Sequence, residues 1–181
     1  MGKMKYMTKV IFFDTDCISS FLWTNTEYLL VHTFRNNMQI PRQVYNEISK
    51  VLHLKTKVDT LISNNNLSII DIEIDSDEED LYIQLTLYNS KSKLPLIGKG
   101  EAAAIVLTKK QNGILASNNF KDVKYYVEKY NLAHIATENI MKSVVDDGII
   151  TIDQADGIWI KMIAKKRKLP YPTFTDYLSS L

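Results

Sequence analysis

Two aspartates, Asp14 and Asp16, stand at the end of the apolar run Val10–Phe13 in the segment KVIFFDTDCISSFL. A carboxylate in that place can be a solvated strand end, a helix cap, a nucleophile or a ligand for a hard cation. Other polar residues stand in comparable places. Glu47 lies in IPRQVYNEI, in the second turn of a helix expected to open at Pro41. Glu101 follows Gly98-Lys99-Gly100 at an expected helix start, and Asn118 and Asn119 close the apolar segment GILAS. In an open parallel sheet, ligands bind beyond the carboxyl ends of the strands, so these positions have a reason to converge on one edge. Clustered carboxylates raise each other's pKa unless a cation neutralises them. Oxygen donors without Cys or His suit Mg²⁺ or Mn²⁺. Such ions activate water and stabilise charge on a phosphodiester, so metal-assisted phosphodiester hydrolysis is the first chemistry indicated.

Each residue also has a plain structural reading. Asp16 can serve as the N-cap of the following helix, Glu101 can complement a helix dipole, and Glu47 can be a surface residue. The elements that must position them follow from periodicity. Val10–Phe13 reads as a strand buried on both faces of a parallel sheet. Thr24 and Glu27 have capping-box spacing before a helical pattern. Met38–Ile40 reads as a brief strand. Pro41 is favourable at a first helical position, with Val44, Ile48, Val51 and Leu52 on one face of the helix. A further helix, KTKVDTLISN, leads to the strand LSIID. Seven of the ten residues from Asp71 to Asp80 are acidic; Ser76 and Glu79 make this a strand end and capped helix start rather than a cation loop. IQLTLYNSKSKLPLIGKG closes that helix and forms a loop. Then come a helix from Gly100 with small Ala102, Ala103 and Ala104 toward the sheet, the strand GILAS, the helix KDVKYYVEKY and the strand AHIA. TENIMKSVVDDG is a helix that Gly148 ends. Thr151 and Gln154 box the start of the next, which stops before Pro170 and Pro172, leaving TFTDYLSSL as a tail. Alternating strands and helices predict one α/β domain over 1–181, a three-layer α/β/α sandwich with a mainly parallel sheet. Its C-terminal helix and tail, about 151–181, pack on it.

With 22 basic and 21 acidic side chains among 181 residues, no strong overall field is expected, so a nucleic-acid partner needs a local basic patch. The run Lys165–Lys168 is one candidate, although cations also suit a helix C-terminus. Tyr125-Tyr126 and Tyr171/Phe174 could stack on bases, but their spacing fits packing equally well. Three scattered histidines and the single Cys17 argue against zinc and against an internal disulfide. No apolar run is long enough to span a membrane, and the reading is cytoplasmic.

Taken in order, VIFFDTDCISSFL, IPRQVYNEI, GKGEAAAIVLTKK and GILASNNFKDV resemble the PIN-domain nucleases, in the branch with a Gly-x-Gly-Glu-Ala motif that includes toxin-like ribonucleases. The likeness runs from Val10 to about Tyr177, and GKGEAAAI is its most specific element. It implies an endoribonuclease using Mg²⁺ or Mn²⁺, with Asp14, Glu47 and Glu101 as the acidic positions and Asn118 at the fourth. It implies an RNA substrate and a small antitoxin partner that puts a basic residue among the carboxylates, and it leaves room for a homodimer. Asp14, Glu101 and Asn118 would hold the metal, with Asp16 and Asn119 as further candidates. The fourth position is usually Asp, so Asn118 and Asn119 remove a charge; Asp16 stands where a small hydroxyl residue is usual and restores one. Asp122 and Asp156 read as remoter surface residues.

Two other readings stay open. Asp-x-Asp after a strand is how HAD-type phosphatases place a nucleophile, here Asp14, and an acid/base, here Asp16. That class needs a late acidic pair, and Asp146-Asp147 falls in a helical pattern. Alternatively, the missing carboxylate leaves a PIN-like module that binds RNA or protein without cutting.

Overall fold

A computed structural model of the chain describes residues 9–87 and 94–181. The short apolar runs form five parallel strands: β1 (Ile11–Phe13), β2 (Met38–Pro41), β3 (Leu67–Ile70), β4 (Ile114–Ala116) and β5 (Ala133–Ile135). They lie in the order β3-β2-β1-β4-β5. The chain thus begins in the middle of the sheet, winds outward through β2 and β3, then returns to lay β4 against the other side of β1. Neighbouring strands there leave in opposite directions and open a crevice at their carboxyl ends.

Helices cover both faces, giving a three-layer α/β/α sandwich. The described helices are α1 (Thr15–Trp23), α2 (Glu27–Phe34), α3 (Arg42–Ile48), α4 (Leu52–Ser63), α5 (Asp77–Thr86), α6 (Lys99–Gln111), α7 (Phe120–Lys129), α8 (Thr137–Asp146), α9 (Ile152–Ala164) and α10 (Phe174–Ser179). The period-two pattern of β4 shows the layering: Ile114 and Ala116 join the larger core, while Leu115 joins the smaller one beneath α5, α6 and α7. Helix α6 is buried at Gly100 and from Ala102 through Thr108, and Ala102, Ala103 and Ala104 have no exposed surface. A helix buried nearly all round needs small residues wherever it meets backbone, as their spacing predicts. Helices α9 and α10 share the larger core, where the Trp159 and Tyr177 rings stack 6.2 Å apart.

Several boundaries differ from expectation. The helix expected from Pro41 through Leu54 breaks at residues 49–51, so Leu52 begins α4 and is 77% exposed instead of facing the core. Pro41 ends β2 and precedes α3, where its lack of an N–H still costs nothing. Thr24 does not cap α2; its hydroxyl donates to the Ser20 carbonyl at the end of α1 (2.9 Å), and Thr26 takes the cap position. The tail after Pro172 folds as α10, capped by the Thr173 hydroxyl, which accepts from the Asp176 N–H. Other expectations hold. Ser76 caps α5, accepting from the Glu79 N–H, and within the acidic stretch Arg42 pairs with Asp71 and Lys110 with Glu73 and Glu78. The Thr151–Gln154 box opens α9. Gly148 ends α8 at φ +69°. The loop expected around Asn89–Lys93 lies outside the described residues.

Gly157 sits exposed in the interior of α9, and a Cβ there would meet nothing within 4 Å. Gly157→Ala should therefore stabilise the fold by about 0.5–1 kcal/mol, because the alanine chain loses less freedom on folding. Thermal unfolding should read this as a higher Tm, and a lower one would mean the space is occupied.

Candidate active site

The crevice between β1 and β4 is where the sequence-selected residues meet. The strand ladder runs on past β1, with Asp14 N–H donating to the Ala116 carbonyl (2.9 Å). Asp14 then opens α1 as its N-cap, with Oδ1 accepting from the Cys17 N–H at 2.7 Å. The cap is therefore Asp14, and the reading of Asp16 as the cap is corrected: an N-cap must reach a free N–H two or three residues on, and Asp14 does so. Asp14 is only 1% exposed, and its second oxygen, Oδ2, is buried with no hydrogen-bond partner among the described residues. Burial pushes its pKa up to about 7; the Ser117 hydroxyl, close by but outside hydrogen-bond geometry, and the Cys17 N–H oppose this, while the charges of Asp16 and Glu101 add to it. A buried carboxylate whose charged form is disfavoured, with an unpartnered oxygen at a switch point, is a place where a cation could be held.

Glu47 reaches the same crevice from α3. The Thr15 hydroxyl donates to its Oε2, and the Gly100 N–H donates to Oε1 at 3.2 Å. Helix α6 has no side-chain cap of its own, so Glu47 satisfies one of its free N–H groups from another helix. This explains Gly100: a Cβ there would stand 2.9 Å from Glu47 Oε2 and 3.1 Å from Thr15 Oγ1. Gly98 has a parallel role, since a Cβ there would collide with Glu101 Oε2. Each glycine of Gly-Lys-Gly-Glu thus marks where a carboxylate lies against backbone. Glu101 sits in the first turn of α6, where the helix dipole favours its charge, and accepts from Asn119 Nδ2 at 3.1 Å.

Asn118 also reaches the crevice, where both ends of its amide make hydrogen bonds. Its Oδ1 accepts from the Thr137 N–H (2.9 Å), and its Nδ2 donates to Ser20 Oγ (3.2 Å). The carbonyl that would ligate thus caps α8 from outside with one of its two lone pairs. The N-termini of α1, α6 and α8 therefore converge on one edge, served by Asp14, Glu47 and Asn118 in turn. Asn119 donates to both Glu101 and Asp122, which ties these carboxylates together where an aspartate would repel them. Asp16 is exposed and pairs with Arg167 at 3.3 Å. Asp156 lies away from this edge, where the Thr175 N–H and hydroxyl donate to it. Tyr126 and Phe174 are buried core residues, while Tyr125 is exposed.

Sequence reasoning missed Thr15, Ser117, Glu138 and Phe120. Thr15 adjoins Asp14 and holds Glu47. Ser117 is fully buried beneath Asp14, with its Oγ accepting from the Asn119 N–H. Glu138, in the first turn after β5, is pushed up by burial and adds negative charge beside Cys17. The strand-end rule that picked Asn118 would have found it in AHIATEN. Phe120 follows Asn119, is 43% exposed and lies against the His134 ring at 5.0 Å.

Among the described residues no three Asp, Glu, His or Cys side chains gather closely enough to form a full ligand cage. The residues fit a sparsely ligated hard cation instead. Mg²⁺ keeps several waters and takes one or two carboxylates, which here would be Asp14 through its orphaned oxygen and Glu101. No helix of the described residues is long and apolar enough to cross a membrane. Comparison with models of known protein families finds no match for the chain, and comparison with the curated proteins finds none either.

Proposed function

We propose that this chain is a Mg²⁺- or Mn²⁺-dependent endoribonuclease of the PIN type. The observation that carries the reading is the buried, unpartnered Oδ2 of Asp14 at the switch point, with Glu101 near enough to raise its pKa. A bound cation would supply the positive charge that holds a phosphodiester and acidifies a water. Asp14 keeps one oxygen buried and unpartnered at the base of the crevice while the other stays fixed by the Cys17 N–H. Asn119 orients Glu101 through its amide. Glu47 has both oxygens engaged, so it acts as a positioning residue that fixes α3, α1 and α6 against one another.

The phosphatase reading has less support. Asp146 lies nine residues along α8 from Thr137, roughly 13 Å from the crevice at the helical rise. A binding module without cleavage is favoured by one observation: asparagines stand where an aspartate is usual, and both ends of the Asn118 amide make hydrogen bonds. Purified protein should cleave RNA with Mg²⁺ or Mn²⁺, and Asp14→Asn and Glu101→Gln should each abolish this. Wild type inert with both metals but still binding RNA would favour the module. Growth arrest on overexpression would extend the reading to a toxin, and relief by a small co-expressed protein would identify an antitoxin.

A further inference from the structure

A pocket of about 190 Å³ opens beside the active edge, sharing Asn118 and Asn119 with it. Ser20 and Asp16 of α1 form one side, and Lys166, Arg167 and Lys168 form the other. These cations do not simply complement the end of α9. The helix stops at Ala164, and Lys166 takes a left-handed conformation (φ +60°) at the place where glycine is usual. The Arg167 N–H donates to the Met162 carbonyl (3.0 Å) and the Lys166 N–H to the Ile163 carbonyl (2.8 Å), which folds the chain back toward α1. Lys165 is turned elsewhere, lying over the Trp23 ring at 5.6 Å. Arg167 meets Asp16 across the pocket. Among the described residues, Lys166 and Lys168 have no carboxylate at ion-pair distance.

We propose that Lys166, Arg167 and Lys168 form a phosphate subsite that grips the backbone of a single-stranded RNA next to the bond held at Asp14. This rests on the nuclease reading above. Three cations against one carboxylate leave the pocket positive, although the chain overall carries a formal charge of only +1. The pocket floor is neutral, and Asn118, which gives one amide hydrogen to Ser20 Oγ, has a second that can donate to a phosphate oxygen without adding repulsion. The strand would run from this turn, across the asparagines, to the acidic crevice. Asp16 holds Arg167 in place in the free protein and yields it to a phosphate when the strand arrives.

Binding of a uridine homopolymer, followed by fluorescence anisotropy in chelator over a range of salt, tests this without cleavage. Each phosphate contact on a single strand contributes about 0.7 to the slope of log affinity against log salt. Replacing Lys166, Arg167 and Lys168 together by Gln should cut that slope by about 2 and weaken binding at least about tenfold at low salt. The variant's circular dichroism should match wild type, and Lys166→Arg with Lys168→Arg should retain the slope. Asp16→Asn should act oppositely, tightening binding about two- to fivefold by freeing an exposed ion pair. Equal slopes in wild type and triple variant, or no binding by wild type, would overturn the subsite. Inorganic pyrophosphate binding as tightly as the homopolymer would overturn the strand assignment. Manganese-dependent cleavage with equal slopes would sink the subsite alone; an intact slope difference without cleavage in any metal would sink the nuclease reading alone.

Discussion

Asp14→Asn is expected to silence cleavage by about 10³-fold or more and, at the same time, to make the metal-free protein more stable above pH 7. The two effects share a cause. Asp14 is held near pH 7 in the fold but ionises at its ordinary 3.8 in the unfolded chain. Between those values the folded protein binds the extra proton. The contribution of Asp14 to stability therefore falls as pH rises from about 4 through about 7, and levels off above. An asparagine there keeps the cap to the Cys17 N–H, since Asn and Asp cap equally well, and has no charge to bury. The gain should be near zero below pH 4 and reach up to about 4 kcal/mol above pH 7. Denaturant titrations of both proteins in chelator at pH 4 and pH 8 measure it. A variant less stable at both pH values would mean that the Asp14 carboxylate serves the fold rather than a ligand.

Gly100→Ala should be the most damaging small change outside the carboxylates. Its methyl group would displace Glu47, which is fixed by Thr15 and by the Gly100 N–H itself. Overpacking of this kind costs about 1–3 kcal/mol. Because α6 also carries Glu101, a shift of about an ångström there should lower cleavage about a hundredfold. Both stability and kcat are the readouts. The same substitution at Gly157 should stabilise, so the pair separates a glycine required by a neighbour from one that is merely tolerated. Full activity in Gly100→Ala would show that Glu47 is free to move without consequence.

The layered α/β fold was legible in the sequence because buried parallel strands leave continuous apolar runs and each is followed by a helical pattern. The convergence of Asp14, Glu47, Glu101 and the asparagines was legible too, since parallel strands place their carboxyl ends on one edge. What each residue does there was not. Asp14, Asp16 and Asn118 are all chemically able to cap a helix or to ligate, and only distances to particular N–H groups decide. The hydrogen bond of Asn118 was hidden for that reason: its partner Thr137 lies nineteen residues away, beyond the reach of local spacing rules. The break between α3 and α4 was hidden because Leu52 keeps the helical interval although the chain has already turned. The value of Lys166–Lys168 was hidden by a single left-handed residue that redirects the run from solvent to the active edge.

The central claim is that Asp14 is the anchor of a metal site used for hydrolysis. Crystals soaked in Mn²⁺ and measured at the manganese absorption edge test it most directly. An anomalous peak within coordination distance of Asp14 Oδ2 and Glu101, absent in Asp14→Asn crystals, is the predicted result. Manganese-saturated crystals of active protein with no peak beside Asp14 would contradict it.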